Sequence, residues 1–423
     1  MSATSTTPDR TVTAEAVEAA AARLAPVLPA TPLQLSNRLS DRMGGEVWLK
    51  REDLQPVRSY KVRGAYNLIS QLSGSARAAG LVCASAGNHA QGVAFACAAL
   101  GVHGTIFLPR STPRQKLDRI RALGGDWVRT ELTGETYDDS AAAAHRHGER
   151  TGATMVPAFD HRHTIAGQGS AISQAVEQLG RAPDLVVVPV GGGGLLAGAL
   201  SWLTARHPGV RVVGVEPAGA ACMAAALDAG RPVDLPAVDG FVDGAAVRRA
   251  GALTYPIVAA SGAELVSVSA GRVCSEMLAF YQSDGIIAEP AGALAAAALA
   301  DPVLAAPGST TLCLLSGGNN DVSRYAEIIE RSLVHEGRKH YFLVEFPQEP
   351  GALRQFLDEV LGPDDDITLF EYVKRNNRET GPALVGIELS QPADLAPLLH
   401  RMEAGTARVQ LLPPDSPLTR FLV

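Results

Sequence analysis

Short apolar runs alternate with helical patterns from residue 46 to about residue 320, and this order restricts the possible folds more than any other feature. The runs lie at residues 46–50, 80–84, 104–108, 184–190, 210–215 and 311–315. They lack internal polar alternation, which is typical of strands covered on both faces. The segments between them are rich in Ala, Leu, Arg and Glu and predict helical crossovers. The sequence therefore predicts an α/β chain with one or two doubly wound, mostly parallel sheets.

The pattern changes near Asp321. A helix is predicted at residues 323–334, and a charged stretch (HEGRKH, residues 335–340) follows it. Beyond this stretch, strand patterns at residues 340–346, 366–374, 383–389 and 409–412 and helical patterns at residues 351–361 and 393–402 give the order β-α-β-β-α-β. This is the order of a ferredoxin-like α+β unit. We therefore predict a first domain at residues 1–322, a linker at residues 323–338 and a second domain at residues 339–423.

Composition and charge narrow the range of partners. Hydrophobic residues make up 46% of the chain, enough for a buried core, and the net charge of −7 argues against nucleic acid or an anionic membrane as partner. The most apolar stretch, residues 288–306, is interrupted by Glu289, Pro290, Asp301 and Pro302. It is therefore not expected to span a bilayer.

The N-terminal segment and the cysteines indicate the compartment. Residues 1–12 are polar and are interpreted as an arm without a signal peptide, followed by a helix capped by Thr13. Five cysteines occur, none at Cys-x-x-Cys spacing, as expected for reduced, mostly buried thiols. The sequence therefore predicts a cytoplasmic protein.

Four consecutive glycines, Gly191 to Gly194, directly follow an apolar run and open a helical pattern at Leu195. Each glycine costs conformational entropy, so a run of four needs a reason. Between a strand and a helix, the backbone N–H groups of such a loop form an anion cradle. The spacing matches neither Gly-x-Gly-x-x-Gly nor the P-loop. One small phosphate is therefore favoured over a dinucleotide or a nucleoside triphosphate.

Three further segments lie beside predicted strands or helices. Lys61 precedes a helical pattern, and lysine is the side chain that forms imines with carbonyl cofactors. Residues 85–92 (SAGNHAQG) follow an apolar run, and a helix start there offers N–H groups to a carboxylate. Ser316, in SGGNN, follows the last run and can hydrogen-bond a ring nitrogen. Taken singly, Lys61 suits a surface lysine and the other two segments suit ordinary turns.

Together these segments, SYKVRGA (59–65), SAGNHAQG (85–92), GGGGL (191–195) and SGGN (316–319), resemble those of the fold-type II pyridoxal-phosphate enzymes. They are most similar to the threonine dehydratases (threonine ammonia-lyases), over residues 31–320. Residues 345–353 (EFPQEPGAL) look like the ACT-like regulatory domain of the biosynthetic enzymes. The resemblance implies a pyridoxal-phosphate-dependent catalytic domain at residues 1–322 and an ACT-like regulatory domain at residues 339–423.

The resemblance also implies site residues. Lys61 would hold pyridoxal 5'-phosphate as a Schiff base, Asn88 would hydrogen-bond its 3-hydroxyl, and Ser316 would face its pyridine nitrogen. The phosphate would lie on the backbone of Gly191, Gly192, Gly193, Gly194 and Leu195. The substrate carboxylate would lie on Ser85, Ala86, Gly87, Asn88 and His89.

The implied reaction removes water and ammonia from L-threonine to give 2-oxobutanoate, the first committed step of isoleucine biosynthesis. Lys61 would take the Cα proton. A neutral serine opposite the ring nitrogen cannot hold a pyridinium as an aspartate would, which favours β-elimination over transamination. The resemblance further implies feedback inhibition by isoleucine and a homotetramer. Since only one ACT-like copy is present, an effector pocket is expected to need a neighbouring subunit, whereas Tyr341, Phe342 and Phe370 are expected in the core.

The sequence leaves other functions open. Serine dehydratases, serine racemases, catabolic threonine dehydratases and β-replacement enzymes share the fold. A function of another class, that of a non-catalytic amino-acid sensor, is also open.

Some relatives bind a divalent cation near Glu-Pro-x-x-Ala-x-Asp. This chain has Cys222 where the second carboxylate would lie, a soft ligand for a hard cation, so no metal is expected. Arg58 either limits access to the site or faces solvent.

Overall fold

The computed structural model describes residues 12–301, 304–372, 379–405, 407–414 and 416–422. The predicted polar arm lies, apart from Val12, outside the described residues. Within them no helix is both long and apolar enough to cross a bilayer.

The helices are α1 (Ala14–Leu24), α2 (Asn37–Met43), α3 (Lys61–Ile69), α4 (Gly74–Ala79), α5 (Asn88–Leu100), α6 (Arg114–Gly124), α7 (Tyr137–Thr151), α8 (Arg162–Leu179), α9 (Gly194–Arg206), α10 (Cys222–Ala229), α11 (Thr254–Ser261), α12 (Ala270–Asp284), α13 (Pro290–Ala298), α14 (Tyr325–His335), α15 (Ala352–Val360), α16 (Leu395–Ala404) and α17 (Pro417–Leu422). The strands are β1 (Leu33–Leu35), β2 (Glu46–Arg51), β3 (Leu81–Ala84), β4 (Gly104–Leu108), β5 (Val128–Leu132), β6 (Thr154–Met155), β7 (Leu185–Pro189), β8 (Arg211–Pro217), β9 (Glu264–Val268), β10 (Thr310–Leu315), β11 (Lys339–Pro347), β12 (Asp366–Tyr372), β13 (Thr380–Glu388) and β14 (Arg408–Leu411).

By its internal contacts the chain divides into two units. The first comprises residues 1–270 and 283–320, and the second comprises residues 271–282 and 321–423. Most of α12 therefore groups with the second unit, which the predicted limits at residues 322 and 339 did not anticipate. The predicted linker contains α14, and only residues 336–338 separate that helix from β11.

Two sheets form the first unit, and the predicted α/β architecture is confirmed. The larger sheet has the order β1-β2-β10-β7-β8-β9 and the smaller has the order β5-β4-β3-β6. All neighbours pair in parallel except β1 with β2. The apolar runs explain this arrangement, because every residue of β7 and β10 is buried. In parallel sheets the loops that follow the strands gather at one edge, where ligands commonly bind.

Some helices of this unit begin after a residue whose side chain caps them, and others do not. The predicted first helix is confirmed as α1, with the Thr13 hydroxyl accepting a hydrogen bond from the Ala16 N–H at 3.3 Å. By contrast, α5 and α9 begin after Gly87 and Gly193, and neither start has a side-chain cap. The first N–H groups of an uncapped helix are available to a ligand, and both of these helices follow motif segments.

The second unit contains the predicted ferredoxin-like sheet, in the order β12-β13-β11-β14 with antiparallel pairing throughout. The predicted strand at residues 366–374 ends at Tyr372, and residues 373–374 lie outside the described residues. Phe342 lies in the core of this unit and Phe370 packs against it, as expected. Tyr341 is also buried, but it is not part of that core, and its hydroxyl donates to the Glu330 Oε1 at 2.5 Å. Helix α17 was not predicted from the sequence.

Candidate active site

Lys61 is the first residue of α3, and the segment before it is tied to the loop after β10. Ser59 forms an isolated antiparallel bridge with Gly317, and the Tyr60 N–H donates to the Ser316 carbonyl at 3.0 Å. The Lys61 Nζ is part-buried and donates to the Tyr60 hydroxyl at 3.0 Å. Two of the predicted motifs, around Lys61 and Ser316, are thereby brought together through the backbone.

The four-glycine loop connects β7 to α9 and is closely enclosed. Gly193 has φ 89°, in the left-handed region that favours glycine, and is the residue before α9. A Cβ at Gly192 would overlap the Phe159 ring, because the ring lies directly against this backbone. The atoms that a Cβ would meet at the other positions belong to Ala245 for Gly191, Met223 and Thr254 for Gly193, and Gln168 for Gly194. The loop therefore presents backbone alone.

Hydrogen bonds fix the carbonyl groups of this loop. The Gly192 carbonyl accepts from the Thr254 hydroxyl at 2.7 Å and from the Gly251 N–H at 3.2 Å. The Gly191 carbonyl accepts from the Cys222 thiol at 3.4 Å. Since the carbonyl oxygens are engaged with the protein, the arrangement suits an anion that needs donors, such as a phosphate.

The predicted substrate loop connects β3 to α5. The Ser85 hydroxyl accepts from the Gly87 N–H at 3.2 Å. His89 is buried, and its Nε2 lies 2.7 Å from the Val156 carbonyl, which can only accept. Nε2 therefore carries the proton, and Nδ1 is an acceptor. Burial, together with the Lys61 charge, lowers the pKa of His89 to about 4 against the opposing effect of the Val156 hydrogen bond. A neutral ring of this tautomer cannot donate to a carboxylate, so His89 can assist through its backbone N–H.

Ser316 directly follows β10 and is buried. Its hydroxyl donates to the Ala291 carbonyl at 3.0 Å. A hydroxyl donates to one acceptor at a time, so Ser316 can donate to a ring nitrogen only by rotating away from Ala291.

Asn88 begins α5, and two residues of other loops hold its amide. The Nδ2 of Asn88 donates to the Glu289 Oε1 at 2.5 Å, and its Oδ1 accepts from the Asn319 Nδ2 at 2.7 Å. Neither neighbour was predicted as a site residue. In the sequence, Glu289 stands out only as an interruption of an apolar stretch, directly before the proline that begins α13.

The segment from Glu216 to Cys222, for which no metal is expected, leads into α10. The Glu216 carboxylate is buried and accepts from the Met223 and Ala224 N–H groups at 2.7 and 2.9 Å, in the first turn of α10. Burial raises the pKa of Glu216 to about 7, although both backbone hydrogen bonds lower it. Its oxygens are thus bound to helix N–H groups.

Arg58 lies beside the motifs in an unusual conformation. Its φ of 56° is in the left-handed region, which is rare for a non-glycine residue. Backbone hydrogen bonds hold it on both sides, from the Arg58 N–H to the Gln55 carbonyl at 2.7 Å and from the Gly318 N–H to the Arg58 carbonyl at 2.9 Å.

The first unit therefore contains a lysine amine, a glycine cradle for an anion and two buried hydrogen-bonding side chains on loops at strand ends. The cradle presents backbone N–H groups alone, because the protein around the loop leaves no room for a Cβ, and it fits the phosphate of pyridoxal phosphate. Buried polar atoms without a protein partner among the described residues, Ser59 Oγ, His89 Nδ1 and Gln168 Oε1, also fit a polar ligand. These features define the class of enzymes that hold pyridoxal phosphate on a lysine.

Comparison with known proteins agrees with this assignment. Residues 24–317 match the family model for pyridoxal-phosphate dependent enzymes. Residues 330–422 match the model for the C-terminal regulatory domain of threonine dehydratase. The chain belongs to the pyridoxal-phosphate-dependent enzyme family, and it carries a regulatory domain of the threonine dehydratase type.

A relative known by sequence covers almost the whole chain, and two solved structures cover about three quarters of it. A Mycobacterium bovis protein named biosynthetic L-threonine dehydratase is 62% identical over 409 residues, 96% of this chain and 95% of the relative. The solved structure of processed threonine deaminase isoform 2 from Solanum lycopersicum covers 75% of this chain and 93% of its own, with a TM-score of 0.72 and 36% identity. Maize serine racemase covers 77% of this chain and 98% of its own, with a TM-score of 0.70 and 29% identity.

Proposed function

We propose that this chain is a biosynthetic threonine dehydratase, which removes water and ammonia from L-threonine to give 2-oxobutanoate. The proposal rests on one observation: Lys61 lies beside the loops of Asn88 and Ser316, in the unit that contains the glycine cradle. The Mycobacterium bovis relative supports threonine as the substrate, because its similarity over 96% of the chain includes both units.

Each predicted site residue has a proposed role. The Lys61 amine holds the cofactor and accepts the Cα proton of the substrate. The backbone of Gly191, Gly192, Gly193, Gly194 and Leu195 binds the phosphate group. Asn88 donates to the 3-oxygen and Ser316 lies at the ring nitrogen. The substrate carboxylate lies on the loop of Ser85, Ala86 and Gly87 and on the N–H groups of Asn88 and His89.

Bound in this site, pyridoxal phosphate supplies an electron sink for the bond that breaks next to the substrate nitrogen. The protein supplies a base at the Lys61 Nζ and hydrogen-bond donors at the start of α5. The Tyr60 hydroxyl accepts a hydrogen bond from that amine at 3.0 Å, which limits the directions in which the amine can lie.

The first experiment measures keto-acid formation from L-threonine and L-serine by the purified holoenzyme. We expect 2-oxobutanoate from threonine, with turnover abolished in Lys61→Ala. Lys61→Arg is the matched variant, since it keeps the positive charge but cannot form the cofactor imine, and it is expected to be equally inactive.

Other outcomes would identify the alternatives. Conversion of L-serine to D-serine without keto acid would indicate a racemase, and a purified protein without any cofactor absorption band would indicate a sensor. Near-normal turnover in Lys61→Ala would show that another residue is the base.

We also propose that the enzyme acts in isoleucine biosynthesis in the cytoplasm, as a homotetramer with isoleucine as inhibitor. Support for the effector comes from the second unit, because residues 330–422 match the model for the C-terminal regulatory domain of threonine dehydratase. Equilibrium dialysis with labelled isoleucine tests the effector, and light scattering tests the assembly. A chain that binds no isoleucine and whose threonine turnover isoleucine leaves unchanged would contradict the regulatory proposal.

A further inference from the structure

Glu289 contacts the proposed cofactor ligand Asn88 from an unexpected position. It is 4% exposed and directly precedes Pro290, the first residue of α13. Its backbone N–H donates to the Gly317 carbonyl at 3.1 Å, which ties it to the loop after β10. Its side chain reaches Asn88, at the start of α5, with a distance of 2.5 Å between Oε1 and Nδ2. Glu289 therefore connects two of the motif loops.

The orientation of the Asn88 amide follows from a chain of hydrogen bonds that starts at a backbone carbonyl. The Asn319 Nδ2 donates to the Val57 carbonyl at 2.8 Å, so this nitrogen must face Val57. The same Nδ2 donates to the Asn88 Oδ1 at 2.7 Å, which places the Asn88 Nδ2 on the other side. That nitrogen needs an acceptor, and Glu289 provides it.

The second hydrogen of the Asn88 Nδ2 is left for a ligand. An amide nitrogen carries two hydrogens, and Glu289 accepts one of them. Asn319 and Glu289 hold the two ends of the amide, so without the Glu289 acceptor only the hydrogen bond from Asn319 opposes its rotation. A rotated amide would present an acceptor to the cofactor in place of a donor, and Glu289 therefore helps to determine which atom the cofactor meets.

On this basis, and resting on the proposed function, we infer that Glu289 is a positioning residue that fixes the Asn88 amide as a donor toward the cofactor. Asn88 itself touches the cofactor, whereas Glu289 acts through it. Gln in place of Glu can still accept from Asn88, whereas Met cannot.

The charges around Glu289 give the inference a second readout. Burial raises the pKa of Glu289 to about 7, and the Asp243 carboxylate adds to this effect. The Asn88 hydrogen bond, Lys61 and Lys116 oppose it. A proton taken up or lost at this carboxyl near neutral pH changes the charge next to Asn88.

The test compares Glu289→Met and Glu289→Gln with the parent by cofactor affinity and by the absorption band of the bound cofactor. We expect Glu289→Met to weaken cofactor binding at least about tenfold and to shift the band, because the amide loses its fixed acceptor. Glu289→Gln should stay within about threefold of the parent. We also expect the absorption band of the parent to change between pH 6 and 8 as Glu289 titrates, and the band of Glu289→Gln to stay constant over this range.

A double-mutant cycle with Asn88→Ala separates positioning from general destabilisation. If Glu289 acts through Asn88, Glu289→Met weakens binding no further in the Asn88→Ala background. The melting temperature of the cofactor-free protein is measured in parallel, because Glu289→Met leaves a buried Asn88 N–H without its acceptor and is expected to lower it. This loss of stability should be absent in the Asn88→Ala background, which lacks that donor. As a control, Glu276→Gln removes an equally buried carboxyl from the second unit and should leave cofactor affinity unchanged.

Three results would overturn the inference. These are parent-like affinity and band in Glu289→Met, equal losses in Glu289→Met and Glu289→Gln, and additive losses in the double mutant. In each case the parent would still bind the cofactor and turn over threonine, so the proposed function would survive. A parent that binds no pyridoxal phosphate would overturn both.

Discussion

Arg63 and Glu52 form a buried two-point ion pair two residues beyond the proposed catalytic lysine. The Arg63 Nε donates to the Glu52 Oε2 at 2.7 Å, and its Nη2 donates to Oε1 at 2.8 Å. The side chains are 3% and 0% exposed. Burial acts to raise the pKa of Glu52, but Arg63 and the hydrogen bonds outweigh it and hold the pKa below its ordinary value. The pair thereby anchors α3, which begins with Lys61, to the segment after β2.

Arg63→Met should therefore destabilise the protein by about 3–5 kcal/mol, because it leaves the Glu52 carboxylate buried without its partner. Arg114→Gln is the matched control, since Arg114 is 93% exposed and pairs with Asp118 at 3.6 Å on the surface. The control should change the free energy of unfolding by less than about 1 kcal/mol. Urea unfolding of the cofactor-free proteins measures both. Equal effects of the two variants would show that the buried pair adds nothing to stability.

Gly192→Ala should weaken cofactor binding by about 10- to 100-fold, because the new methyl group would displace the Phe159 ring or the loop. Gly74→Ala is the control, since Gly74 is exposed in α4 and a Cβ there meets nothing within 4 Å. We expect parent-like affinity for the control. Titration of the cofactor-free proteins with pyridoxal phosphate compares them, and parent-like affinity of Gly192→Ala would place the phosphate elsewhere.

Much of the fold could be predicted from apolar periodicity. The run at Gly104–Leu108 is reproduced as β4, and the order β-α-β-β-α-β is reproduced from β11 to β14. Fully buried strands give an uninterrupted apolar run, so such strands can be recognised in the sequence. The grouping of α12 with the second unit could not be predicted, because amphipathic periodicity shows that a helix has an apolar face but does not show which core covers that face.

The candidate site was predictable where the backbone carries the function. Four successive glycines indicate close enclosure on any fold, and the Phe159 ring at Gly192 provides it. The contact between Glu289 and Asn88 was not predictable, because 201 residues separate them and a carboxylate before a proline also suits an ordinary helix start. The tautomer of His89 likewise depends on the Val156 carbonyl, which sequence spacing does not reveal.

Arg58→Gly should be more stable than Arg58→Ala by about 1 kcal/mol. Both changes remove the side chain, but only glycine adopts φ 56° without a steric penalty. Thermal unfolding of the two variants measures the difference. An Arg58→Ala variant as stable as Arg58→Gly would show that the loop relaxes to a negative φ, in which case the hydrogen bond from the Gly318 N–H to the Arg58 carbonyl is not essential.

The stability of the cofactor-free protein should fall as the pH drops from about 6.5 to about 4, in part because of His89. Its folded-state pKa of about 4 lies below the ordinary histidine pKa of 6.5, so over this range the unfolded chain binds a proton that the folded chain does not. Proton uptake by the unfolded state lowers the free energy of unfolding by up to about 3 kcal/mol at the acid end. Above pH 6.5 the ring is neutral in both states, and the contribution is constant.

His89→Gln removes this titration while its amide can still donate to the Val156 carbonyl. We therefore expect the parent to lose more stability than His89→Gln between pH 7 and pH 4.5. His400→Gln, at an exposed position of α16, should follow the parent curve. Urea unfolding at several pH values measures the three slopes. If the parent and His89→Gln lose stability in parallel, the His89 ring is protonated in the folded state, and its side chain could then donate to a substrate carboxylate after all.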